Sequence, residues 1–112
     1  MIDLESVREI SATYTKHGWL LRRVLLTTRS ATTLRASLES EFENITISDS
    51  TIDAAWFSRP QKPGGVAWEL RYLGMSQFAL VEHANEDSDD FEDVLSEVED
   101  RLMSAIAKKD AA

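Results

Sequence analysis

Two histidines, one pair of adjacent arginines and one run of acids are the residues whose types could do chemistry in this 112-residue chain. His17 follows Lys16 at the end of a predicted helix, where an imidazole complements the helix C-terminus without any ligand. His83 follows Glu82 on a predicted strand. Neighbours on a strand point to opposite faces, so this pair makes no dyad. Ser58, in Phe57-Ser58-Arg59-Pro60, lacks the glycine-flanked elbow of a nucleophilic serine. The run Glu86-Asp87-Ser88-Asp89-Asp90-Phe91-Glu92-Asp93 has the oxygens of a calcium loop but not its central glycine. Phe91 suits a helix core, and acids at a helix start complement its dipole. These residues assign no catalytic group, no metal ligand and no cofactor.

Arg22-Arg23 is the oddest pair. It interrupts the apolar run Trp19 to Thr28. On a regular strand one of the two points to the face that carries the leucines. A buried guanidinium needs a partner there. Glu69, Glu82 or an acid of the final helix can serve, as can an anionic ligand. Arg22 or Arg23, with Trp19, Trp56 or Trp68 as walls, therefore forms a candidate ligand-binding site.

The elements that must position these residues read in order. Asp3 caps a helix to His17, with Leu4, Val7, Ile10 and Tyr14 at helical spacing and Gly18 just past its end. The run 19–28 is a strand. A helix over 31–42 follows, capped by Ser30 or Thr32, with Leu34, Leu38 and Phe42 as its stripe. Ile45–Ser48 is a short edge strand. Strands over 52–59, 66–73 and 78–84 form an antiparallel meander, the last after a turn at 74–77. A helix over 88–108 carries Phe91, Val94, Leu95, Val98, Leu102 and Ile106, and the tail beyond it frays.

The loop Arg59–Gly65 is a turn rather than a phosphate cradle, because a strand and not a helix N-terminus follows it. Pairing Trp56 with Trp68 sets Ala54 opposite Leu70 and Ile52 opposite Tyr72, all on one face. The reverse face then sets Phe57 opposite Ala67, Ala55 opposite Glu69 and Asp53 opposite Arg71. Phe57, Glu69, Arg71, Val81 and His83 share that half-apolar, half-charged face, which suits a dimer or partner surface.

Cysteine is absent, which excludes disulfides, thiolate nucleophiles and Cys-ligated metals. The net charge of −8 is uneven. Residues 1–35 hold six basic and three acidic side chains, whereas residues 82–112 hold three basic and eleven acidic. That balance argues against nucleic acid as a partner. No leader segment and no apolar run of membrane length is present, so a cytoplasmic location and no membrane partner are expected. In size, charge and class, though in no motif, the chain is similar to bacterial secretion chaperones.

The sequence thus predicts one globular α+β domain over residues 1–112. Its four- to five-stranded antiparallel sheet, in α-β-α-(β)-β-β-β-α order, packs against helices as a two-layer sandwich. The expected function is a small non-enzymatic binding or adaptor protein that homodimerises or binds a protein partner through a sheet face. The alternative is a binder of, or enzyme for, a small anionic ligand, with a pocket between helices and sheet.

Overall fold

A computed structural model describes residues 2–61 and 64–111. Three helices and five strands follow in the order α1 (Leu4–Lys16), β1 (Leu20–Leu26), α2 (Thr28–Glu41), β2 (Thr46–Asp49), β3 (Ala54–Pro60), β4 (Val66–Tyr72), β5 (Ala79–His83) and α3 (Phe91–Ala111). The α+β class and the element order agree with the sequence reading. The helix-bound sheet has strand order β2-β1-β3-β4-β5.

Local chemistry explains the element ends. Asp3 accepts from the Ser6 amide at 2.8 Å and starts α1. Gly18, at φ +88, ends it, in the left-handed region that glycine enters without strain. α2 begins three residues before its expected start. Thr27 caps it, and Asp53 accepts from the Thr27 amide and the Ser30 hydroxyl, each at 2.9 Å. Because Asp53 serves this cap, it does not face Arg71. α3 runs from Phe91 to Ala111, three residues later at each end than expected, and Ala112 lies outside the described residues.

Two pairings depart from expectation. β2 runs parallel to β1, from Arg23 beside Thr46 to Leu26 beside Asp49, so β1-α2-β2 is a crossover unit in an otherwise antiparallel sheet. In the β3–β4 hairpin, Trp56 pairs with Leu70, Ala54 with Tyr72 and Phe57 with Glu69. The expected register is thus off by two. Pro60 stays in the ladder opposite Val66, and Gln61 N–H donates to the Gly65 carbonyl at 3.1 Å, which moves the turn one residue along. Lys62 and Pro63 of that turn lie outside the described residues. A slip of two leaves every side chain on its expected face. Trp56 and Trp68 still meet edge to face, with centroids 6.3 Å apart.

Helices lie on both faces, so the molecule has three layers instead of two. α3 packs Phe91, Leu95, Val98, Leu102 and Ile106 on Leu25, Trp56, Trp68 and Leu70. On the other face, Val7 of α1 and Leu34 and Leu38 of α2 join Leu21, Val24, Leu26, Ala55 and Phe57. Each face of the central strands carries its own core, which accounts for the nearly continuous apolar character of β1 and β3.

Candidate functional site

β1 carries an irregularity where its arginines sit. Leu21 pairs with Phe57 and Arg23 with Trp56, so Arg22 is an extra residue between them. A bulge of this kind sets two consecutive side chains on one face. Arg22 lies 4.9 Å above the Trp68 ring and Arg23 lies 5.5 Å above the Phe91 ring, both in the α3 layer. Neither guanidinium enters the α1–α2 core.

Both arginines are paired within the chain. Arg22 donates to the Ser58 hydroxyl at 3.0 Å and meets Glu86 at 2.7 Å. Arg23 makes a two-point contact with Glu92 at 2.8 and 2.7 Å. That hydrogen bonding holds the Arg23 pKa above its ordinary value and the Glu92 pKa below its own. The acid run thus serves two arginines and the start of α3. Among the described residues no group of three or more His, Asp or Glu is placed to hold a metal ion. Trp19 lies in the opposite layer, under Arg59. Of the expected walls, the structure therefore sets Trp68 under Arg22 and leaves Trp19 apart from both arginines.

It does bring the other candidates together. Phe57 sits beside Glu69, and Glu69 beside Val81, across three consecutive strands. Ala67 pairs with His83, and Arg71 with Ala79. All of these side chains share the face toward α1. Coverage divides that face. Phe57 is 1% exposed, stacked under Tyr14 with ring centroids 4.0 Å apart. It is a core residue, not a contact residue of the free chain. Beyond it the helices give way. Glu69 and Arg71 are half-buried, Ala79 and His83 are exposed, and Val81 is 54% exposed.

Tyr14 marks the boundary. Its hydroxyl donates to the Glu69 carboxylate in a short hydrogen bond. Burial first, and this bond second, push the Tyr14 pKa up to about 12, against a smaller opposing effect of Arg71. A cleft of about 400 Å³ opens on one side, lined by Thr13, Tyr14, His17, Trp19, Arg59 and Glu69. A second, of about 310 Å³, opens on the other, lined by Glu9, Ile10, Thr13, Tyr14, Arg71 and Gln77. Arg59 stacks on Trp19 at 4.6 Å and donates to the His17 carbonyl at 3.2 Å. Tyr14 and Arg59 are the residues that the sequence reading does not assign to this surface. A signal existed for the first: a tyrosine closing an apolar helical stripe must place its hydroxyl on an acceptor.

No family model, no curated protein and no solved structure matches the chain.

Proposed function

We propose that this chain is a non-enzymatic protein-binding module that docks another chain on the uncovered β4–β5 half of its α1-side sheet face. One observation carries the reading. A sheet whose other three strands are covered on this face leaves β5 bare, with Val81 54% exposed between Glu69 and the sheet edge. An aliphatic residue flanked by half-buried charges has the makeup of an interface centre with a polar rim. The neighbouring clefts along α1 add relief into which side chains of a partner fit.

The test is site-specific photo-crosslinking in cells that make the protein. A photoreactive residue at position 81 is compared with one at position 97, on the exposed side of α3. The reading expects a discrete crosslinked species from position 81 and none from position 97. Equal labelling at both, or none at position 81, counts against it.

A second reading rests on Arg59. Among the described residues this guanidinium pairs with no carboxylate, and it lies at the 400 Å³ cleft over Trp19. Such a group recognises a small carboxylate or phosphate. A thermal shift with inorganic phosphate or a simple dicarboxylate that vanishes in Arg59→Ala supports this reading. An unchanged midpoint in both proteins removes it.

A further inference from the structure

We infer that the occupant of this surface is a second copy of the chain, paired through the free edge of β5 about a two-fold axis at Val81. The inference rests on the protein-binding reading above and names its partner. Its first support is the phase of the backbone. Tyr72 N–H donates to the Phe78 carbonyl at 2.8 Å, and Ala84 N–H donates to the Val66 carbonyl at 3.2 Å. Antiparallel ladders alternate along each strand. Phe78, Leu80, Glu82 and Ala84 therefore turn their peptide groups toward β4, and Ala79, Val81 and His83 turn theirs outward. Among the described residues no strand lies beyond β5 in the sheet.

This edge lacks the usual protection. Natural sheets blunt their edges with lysine, proline or bulges. Ala79-Leu80-Val81-Glu82-His83 contains neither lysine nor proline, and it pairs with β4 without a register shift. Its acid, Glu82, sits on the α3 side, where Arg101 meets it at 3.1 Å. On the α1 side β5 carries Ala79, Val81 and His83, with no acid, lysine or proline among them.

A second copy fits this edge better than an arbitrary strand does. Antiparallel pairing about Val81 sets Val81 against its own mate and Ala79 against His83. Every outward-turned residue then faces another, so each opposed pair can exchange both of its hydrogen bonds. The same register stacks the exposed Val81 side chains on each other. It also sets Phe78 of one copy opposite Ala84 of the other. Lys109 lies 5.9 Å from the Phe78 ring, and beyond Ala84 and Asn85 come Glu86, which meets Arg22 of its own chain, and the further acids Asp87, Asp89 and Asp90. The two-fold axis thus directs the basic end of each α3 toward the acidic segment of its mate, twice. Chains of net charge −8 repel in general. This local match offsets that repulsion at the edge.

The test is the solution mass of the full chain, by light scattering on a size-exclusion column over a concentration series. Wild type is expected at twice the chain mass. Val81→Pro removes an outward donor and the Val81 side chain but no bond to β4, because this amide points away from β4, and is expected at half the wild-type mass. Val81→Lys keeps the amide but sets two ammonium groups face to face, and is also expected at half. Lys108→Glu with Lys109→Glu reverses the charge match and shifts the dimer midpoint to higher concentration. Circular dichroism and thermal midpoints establish that each variant is folded. If Val81→Pro does not fold, the other two variants decide. A wild type that stays monomeric throughout overturns the second copy but leaves the wider reading, which crosslinking at position 81 then tests. A dimer that survives Val81→Pro but not Val81→Lys overturns edge pairing while keeping the face. A dimer indifferent to all variants overturns both.

Discussion

Trp56 and Trp68 fill one layer but end differently. The Trp56 indole N–H donates to Glu99 at 2.8 Å. The Trp68 indole N–H is buried without a hydrogen-bond partner among the described residues. Phenylalanine at either position removes similar volume, but only Trp56→Phe also removes a bond to a charged group. Trp56→Phe is expected to destabilise by about 1–2 kcal/mol more than Trp68→Phe, read from urea midpoints at equal slope. Equal losses would show that the Glu99 contact contributes nothing. Tyr14 gives a pH dependence. Its pKa is raised from 10.0 to about 12, so its contribution is complete below pH 10.0 and is lost as pH rises through about 12. Wild type should therefore lose stability across that window more steeply than Tyr14→Phe. Parallel profiles would place the phenol in an ordinary aqueous environment.

The bulge in β1 decides how much of the fold its sequence displays. On a regular strand, Leu21 and Val24 point to opposite faces. With Arg22 as an extra residue, both join the α1–α2 core, and Arg22 and Arg23 turn to the α3 side. Alternation alone therefore misreads one arginine as buried against leucines, because no local residue signals where a strand takes an extra position. The β3–β4 hairpin is the opposite case. Its faces are legible from alternation, and only the register, fixed by Pro60 and the turn, escapes. α2 starts early for a similar non-local reason, since the Asp53 carboxylate that steadies its cap lies far along the chain. Of the candidate site, the shared face of Glu69, Arg71, Val81 and His83 is legible, but the burial of Phe57 under Tyr14 is not, because it depends on where α1 docks. One prediction belongs to this scale. Deleting Arg22 removes the bulge but leaves Leu21, Arg23 and Val24 on their present faces. The deletion should cost within about 1 kcal/mol of Arg22→Ala, since both lose the same contacts with Trp68, Ser58 and Glu86. A deletion that unfolds the chain while Arg22→Ala does not would mean that the bulge itself shapes the sheet.

At the scale of the whole molecule, the asymmetry lies in coverage. α3 lies across β1, β3, β4 and β5 on one side, whereas α1 and α2 cover only the β1–β3 half on the other. No helix among the described residues is long and apolar enough to cross a membrane. The partly covered β4–β5 half-face on the α1 side therefore adjoins the β5 edge. We read them as a single docking element. The account then expects bonding capacity at β5 to be used when the protein concentration allows it. The most direct measurement is residue-resolved amide hydrogen exchange of Ala79, Val81 and His83, at low and high protein concentration, with Leu80 and Glu82 as internal references. Leu80 and Glu82 are held by β4 and should exchange slowly throughout. The account expects Ala79, Val81 and His83 to exchange fast in dilute solution and to approach the rate of their neighbours as concentration rises. Fast exchange at all three residues, unchanged at every concentration, would contradict it.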